Sequence, residues 1–267
     1  MSKRQTGWTE TKIARYLKDG RGLGELSSYK PWLTIQDVPS KGRVHRVMGW
    51  KTEREHQLLS DMEFNYFCLC DWAEDIIDIR EQFPLNREVT LNIADELGIK
   101  HSRDKQTPIV MTTDFLLTVR EGRSVVFKAR TVKLSKDLVD SGIIGKFEIE
   151  RAYWENQGIE WGIVTELEFP DVLLSNLKFL HQGYAVETNE LMLFLSEWKN
   201  FEGKVLANLK LFDAKYNFED GTGISLFKYS LFKRILRTDM AKPIVGFQED
   251  VKNIEVSKQH EDIARWA

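Results

Sequence analysis

The run Asp114-Phe115-Leu116-Leu117-Thr118-Val119, followed after Arg120-Glu121-Gly122-Arg123 by Ser124-Val125-Val126-Phe127, constrains this chain more than any other stretch. Two β-prone segments around a glycine-bearing turn fold back as an antiparallel ribbon. With the turn centred near Gly122, pairing sets Asp114 opposite the neighbourhood of Thr131 to Lys133. Alternation then places Phe127, Ala129, Thr131 and Lys133 on one face and Lys128, Arg130 and Val132 on the other. One carboxylate and one ammonium therefore meet near the strand ends.

Upstream, the sequence predicts a helix from Thr52, since Thr52 and Glu55 read as a capping box and Leu59, Met62, Tyr66, Phe67 and Cys70 recur at helical spacing. Glu63 lies inside that stripe, four residues from both Leu59 and Phe67. Its carboxylate is thus aimed where the helix is to be buried, which is costly unless a metal ion or a lysine meets it. Two carboxylates and a lysine can hold a divalent cation and a phosphodiester together. Mg²⁺ takes hard oxygen ligands and usually keeps waters, while a lysine stabilises charge or orients a water. The same residues also suit an acid on a helix edge, an Asp opening a strand and a solvated Lys, so spacing alone leaves both readings open.

Longer motifs separate them. Leu58-Leu59-Ser60-Asp61-Met62-Glu63, Asp78-Ile79-Arg80-Glu81-Gln82-Phe83-Pro84-Leu85, Thr113-Asp114, Ala129-Arg130-Thr131-Val132-Lys133 and Lys146-Phe147-Glu148-Ile149-Glu150-Arg151-Ala152-Tyr153-Trp154 resemble TnsA, the endonuclease subunit of heteromeric cut-and-paste transposases. Gly20-Arg21-Gly22 and Pro31-Trp32-Leu33-Thr34 extend the resemblance, which covers most of residues 1–168. It implies a restriction-endonuclease-like catalytic domain with Glu63 and Asp114 as metal ligands and Lys133 as the catalytic lysine. The cation would be Mg²⁺, with Mn²⁺ able to substitute. It also implies cleavage of one strand of double-stranded DNA at transposon ends, beside a transposase subunit and an AAA+ ATPase regulator subunit. One position departs from the pattern: Thr131 stands where this superfamily often carries Glu, Asp or Gln. The main-chain carbonyl of Val132, or Glu148 or Glu150 on the following helix, can supply the missing ligand. Thr131 also motivates a rival reading, a catalytically inactive assembly factor; a stand-alone restriction-like or junction-resolving nuclease is another.

Charge qualifies the DNA reading. The 267 residues carry a net charge of −3, whereas proteins that bind nucleic acid alone usually have a basic excess. Weak solo binding and a partner that delivers the DNA follow. The local exception is Lys41, Arg43, His45, Arg46, Lys51 and Arg54, just before Glu63. By default such a run is a solvated face, but beside a metal site Arg43, Arg46, Lys51 and Arg54 become candidate phosphate contacts. Cys68 and Cys70 sit two apart on one predicted helix, unsuited to a disulfide or zinc site. No apolar run is long enough to span a membrane and the N-terminus is polar, so a cytoplasmic protein is expected, and the resemblance implies a bacterial one.

The rest of the chain reads as an α/β layout with a mixed sheet, then a mostly helical part. A short helix over 10–18 and a Gly-rich turn open it. A strand over 76–83 follows, with Ile77, Ile79, Glu81 and Phe83 on one face and Arg80 and Glu81 as paired charges. A helix then runs from Leu85 toward a C-cap at Gly98. After the ribbon come a helix over 146–157 and a buried strand over 159–164. Pro170 marks the boundary between a catalytic domain, 1–169, and a second domain, 170–267. There, helices are predicted over 172–182, 189–198, 202–214 and 225–237, the last carrying Lys228, Lys233, Arg234 and Arg237, with a hairpin from 243–247 and 251–256. That set resembles a winged-helix module. Its 13 Lys and Arg against 14 Asp and Glu favour partner docking at least as much as DNA contact. Trp8, Trp32, Trp154, Trp161 and Trp198 are assigned to packing.

Overall fold

The structure, a computed structural model, describes residues 7–38, 42–181, 186–244 and 249–257. The chain folds as two compact units, Met1–Phe169 and Pro170–Ala267.

In the first unit α1 (Glu10–Lys18) is capped by Thr9 and buries Ile13 and Tyr16 against Trp32 and Val110. Strands β1 (His45–Met48) and β2 (Glu55–Leu58) form an antiparallel pair. The residues expected to start the long helix are therefore a strand. Thr52 lies in the preceding turn, its hydroxyl 2.7 Å from His56 Nε2. The helix itself, α2, spans Asp61–Trp72 and is capped by Ser60, whose hydroxyl accepts from the Glu63 amide at 3.1 Å. Two S/T-x-x-E boxes compete in this sequence, and the second wins because Glu55–Leu58 alternates exposed and buried as a half-buried strand does.

Next come β3 (Ile76–Pro84) and α3 (Arg87–Glu96), which is capped by Asn86 and followed by Gly98 at φ +64°. A pair of two-residue strands, β4 (Arg103–Asp104) and β5 (Thr107–Pro108), leads into the ribbon β6 (Thr112–Glu121) and β7 (Ser124–Val132). Its register runs from Glu121↔Ser124 to Phe115↔Arg130, with Gly122 at φ +61° in the turn, as the sequence predicts. Helix α4 (Ser141–Glu155) returns the chain to β8 (Glu160–Val164), which pairs parallel with β7. The four-stranded mixed sheet has the order β3-β6-β7-β8. One face packs α3 and α4 through Leu85, Ile93, Leu116, Ala129, Ile149 and Trp154. The other packs α2, where Tyr66 meets Phe115 edge-on and Phe67 lies against His56.

The second unit comprises α5 (Asp171–Leu180), α6 (Thr188–Trp198), α7 (Val205–Tyr216) and α8 (Thr222–Phe232), with a short antiparallel pair β9 (Leu236–Arg237) and β10 (Glu255–Val256). Its core is aromatic: Phe194, Trp198, Phe201, Phe212 and Phe227 touch ring to ring. Two expectations are corrected here. Val256 pairs with Leu236, not with the segment after Pro243, part of which lies outside the described residues. The basic helix also dissolves. Lys233 and Arg234 fall beyond α8, Arg237 is in β9, and Lys228 is buried with Nζ 4.0 Å from the Phe179 ring centre. Among the described residues no helix is long and apolar enough to cross a membrane.

Candidate metal centre

Glu63 occupies the first turn of α2, and its carboxylate bends back over the helix start. Oε2 accepts from the Leu59 amide at 2.9 Å and Oε1 from the Ser60 hydroxyl at 3.0 Å. The helix start thus fixes this side chain as well as the cap. Asp114, on β6, accepts from the Val132 amide on β7 at 2.8 Å through Oδ2. Between the two acids lies Gln82 of β3. Its Nε2 is 3.4 Å from Glu63 Oε2 and 3.3 Å from Asp114 Oδ1. Two oxygens sharing one neighbour at those distances lie within about 7 Å of each other, a span that one hydrated cation can bridge.

Glu63 is buried and Asp114 half-buried, and both are bonded mainly to neutral donors. Burial raises the Glu63 carboxyl far above the ordinary carboxylate range, and the nearby charge of Asp114 raises it further. Burial likewise raises Asp114, offset in part by the Val132 amide, Gln82 and the Lys133 ammonium. Lys133 follows the end of β7, its amide bonded to the Val164 carbonyl and its Nζ 3.8 Å from Asp137 Oδ2. It acts on Asp114 through charge, without a direct hydrogen bond.

Behind them stands a third buried acid, Glu150 of α4. Its Oε1 accepts from Thr113 Oγ1 at 2.7 Å, Thr131 Oγ1 at 2.5 Å and Trp161 Nε1 at 3.1 Å. Burial and the charge of Asp114 push its carboxyl up to about 7 against these hydrogen bonds. The Thr131 hydroxyl is therefore spent on Glu150. Glu148, the other accessory candidate, faces outward on α4 and pairs with Arg151 at 2.7 Å, away from this cluster.

The basic run before Glu63 splits in two. Arg43 and Arg46 are exposed, Arg46 with Nε 3.8 Å from Glu55. Arg54, expected to face DNA, is 8 % exposed and clamps the fully buried Glu81 through both terminal nitrogens, with His56 Nδ1 on the same carboxylate at 2.8 Å. An acid with no solvent access needs a cation, and Arg54 is that cation. The sequence-adjacent Arg80 pairs instead with Asp78, at 3.5 Å. Lys51 is tied down as well, its Nζ donating to the Ala73 carbonyl at 2.6 Å. Lys41 lies outside the described residues.

Gln82 is not among the residues that the sequence marks for a site. Its backbone has φ +48° in the middle of a strand, a conformation that L residues adopt at a cost. Glu81 and Gln82 consequently both turn toward the face that carries α2, and Phe83 returns to the face of Trp154. The signal in the sequence is the polar run Arg80-Glu81-Gln82, which breaks the alternation of β3 before Phe83.

The family described as TnsA-like endonuclease N terminal matches residues 73–166, and TnsA endonuclease C terminal matches residues 168–240. The transposon Tn7 transposition protein TnsA of Escherichia coli is 43 % identical over 190 residues, covering 71 % of this chain and 68 % of that protein.

Proposed function

The chain belongs to the TnsA endonuclease family, and on that premise we propose that it is a metal-dependent DNA endonuclease. It cleaves one strand at transposon ends, in the bacterial cytoplasm, together with a transposase subunit and an AAA+ ATPase regulator. The observation that carries the metal reading is the convergence of Glu63 Oε2 and Asp114 Oδ1 on one neutral nitrogen, with no cationic side chain among the described residues bonded to either. Among the described residues no three His, Cys, Asp or Glu side chains cluster for a metal. A donor set of two carboxylates and neutral oxygens suits a hard cation that keeps several of its waters, Mg²⁺ with Mn²⁺ as substitute.

When bound, such an ion supplies Lewis acidity toward the phosphodiester and lowers the pKa of a water. Glu63 and Asp114 hold it, fixed by the helix cap and by the β7 amide, and the Val132 carbonyl adds a neutral oxygen. Lys133 places a positive charge where the phosphate gains negative charge in the transition state. Glu150, held at a raised pKa by burial beside Asp114, serves as an accessory acid arriving from α4 in place of an acidic residue at position 131. Arg43 and Arg46 remain as phosphate contacts that fix the DNA register. Lys51 and Arg54 are assigned to the fold.

The test is Asp114→Ala. Cleavage of transposon-end DNA, assayed with the partner subunits, falls to background while the thermal unfolding midpoint is retained. A variant that cuts as well as the wild type removes the assignment.

A further inference from the structure

We propose that Gln82 is a switchable ligand of the cation site: its carboxamide faces Glu63 and Asp114 through nitrogen when the site is metal-free and through oxygen when it is loaded. The proposal rests on the reading that Glu63 and Asp114 hold a divalent cation.

Position comes first. Strict alternation along β3 would send residue 82 to the α3 and α4 face, away from Glu63. The left-handed backbone at φ +48° re-aims it. That conformation is clamped, since the Gln82 carbonyl accepts from the Trp32 amide at 3.1 Å. Strain held by surrounding structure and delivering one side chain between two acids is the pattern found where backbone strain serves a site.

Distance comes second. At 3.3 and 3.4 Å, the two contacts from Nε2 are longer than the ordinary N–H···O separation of about 2.9–3.0 Å. They match instead the spacing between neighbouring ligands around a cation whose oxygens lie at roughly 2.1–2.4 Å, which is about 3.0–3.4 Å for right-angle neighbours. The terminal amide group is therefore already at ligand spacing from both carboxylates. Only its polarity is reversed, and rotation about its last bond exchanges nitrogen for oxygen.

The third observation is what lies behind the amide. Gln82 Oε1 accepts from Thr112 Oγ1 at 3.0 Å. A hydroxyl donates to a carbonyl oxygen or accepts from an N–H with equal ease, so Thr112 supports either orientation without moving. In the nitrogen-inward state the amide nitrogen lies between the two carboxyl groups. In the oxygen-inward state the amide gives the cation a second neutral hard donor beside the Val132 carbonyl, at a site where the Thr131 hydroxyl is engaged by Glu150.

Two measurements on the full chain decide it. In ¹⁵N-labelled wild-type protein titrated with Mg²⁺, the Gln82 side-chain amide resonances, identified by their absence in Gln82→Glu, shift with the midpoint of metal binding. In Mn²⁺ titrations followed by electron paramagnetic resonance, Gln82→Ala binds about ten-fold more weakly or worse, and Gln82→Glu, which keeps an oxygen, binds at least as tightly as the wild type. Gln82→Ala binding as tightly as the wild type, or more tightly, overturns the proposal, as does an amide resonance that stays put at saturation. The shift is read on the wild-type protein, and Gln82→Glu, close in shape to glutamine, serves only to assign the resonance. If wild-type protein binds and Asp114→Ala does not, a null result at Gln82 removes only the role of Gln82. If wild-type protein binds no Mn²⁺, the metal reading falls and this inference with it.

Discussion

Glu81 and the pair Glu63 and Asp114 lie next to each other on the α2 side of one sheet, Glu81 and Glu63 buried and Asp114 half-buried, and have opposite electrostatic fates. Burial pushes Glu81 up, but His56 and Arg54 outweigh it and hold the carboxyl well below its ordinary range. Glu63 and Asp114 receive two main-chain amides, a hydroxyl and a shared carboxamide, with Lys133 acting only through space, and both carboxyls are held high. Burial alone therefore does not mark a functional acid. What separates the two regions is whether the protein provides the countercharge itself. Glu81 is neutralised from within and ties β2 to β3; Glu63 and Asp114 receive no such side-chain countercharge among the described residues, and the proposed cation would supply it.

Breaking the internal pair should have the largest effect. Arg54→Ala strands Glu81 without its cation in a fully buried position and is expected to cost about 3–5 kcal/mol of stability, read as a lowered denaturation midpoint. A small effect would mean that Glu81 is no more neutralised than the metal-site acids. Lys133→Ala should leave stability nearly unchanged and lower cleavage about a hundred-fold, with Mn²⁺ affinity altered only a few-fold. A large loss of metal affinity instead would place Lys133 among the groups that shape the cation site.

The smallest effect concerns pH. Glu63, Asp114 and Glu150 have folded-state pKa values raised above those of the unfolded chain, so in the native state they hold protons longer. Their contribution to stability is full below the unfolded carboxylate range and is lost as pH rises through the raised values, about 7 for Glu150. The metal-free unfolding midpoint should thus fall by a few degrees from mildly acidic to mildly alkaline pH, and saturating Mg²⁺ should flatten that slope. Glu81, with a lowered value, contributes no change in this window. A metal-free midpoint that rises through it would contradict the comparison.

The sequence reveals these regions unequally. The ribbon is legible because period-two alternation and Gly122 fix both pairing and turn, and with them the approach of Asp114 to the end of β7. Glu63 is legible as a buried acid, though the first of two capping boxes misplaces the start of its helix. The partners of Arg54 are not legible. A run of basic residues does not reveal which member turns inward to meet an acid 27 positions later. Gln82 escapes because nothing about glutamine favours a left-handed conformation; tertiary packing imposes it. In the second unit, helical periodicity yields four helices but not the burial of Lys228, since a lysine stem covers apolar surface as readily as it reaches solvent.

Crystals soaked in Mn²⁺ and measured for anomalous scattering are expected to show a peak between Glu63 and Asp114, absent in Asp114→Ala, and none at Glu81. A saturated soak with no peak at the acid pair, or with the ion seated elsewhere in the first unit, would contradict the metal reading.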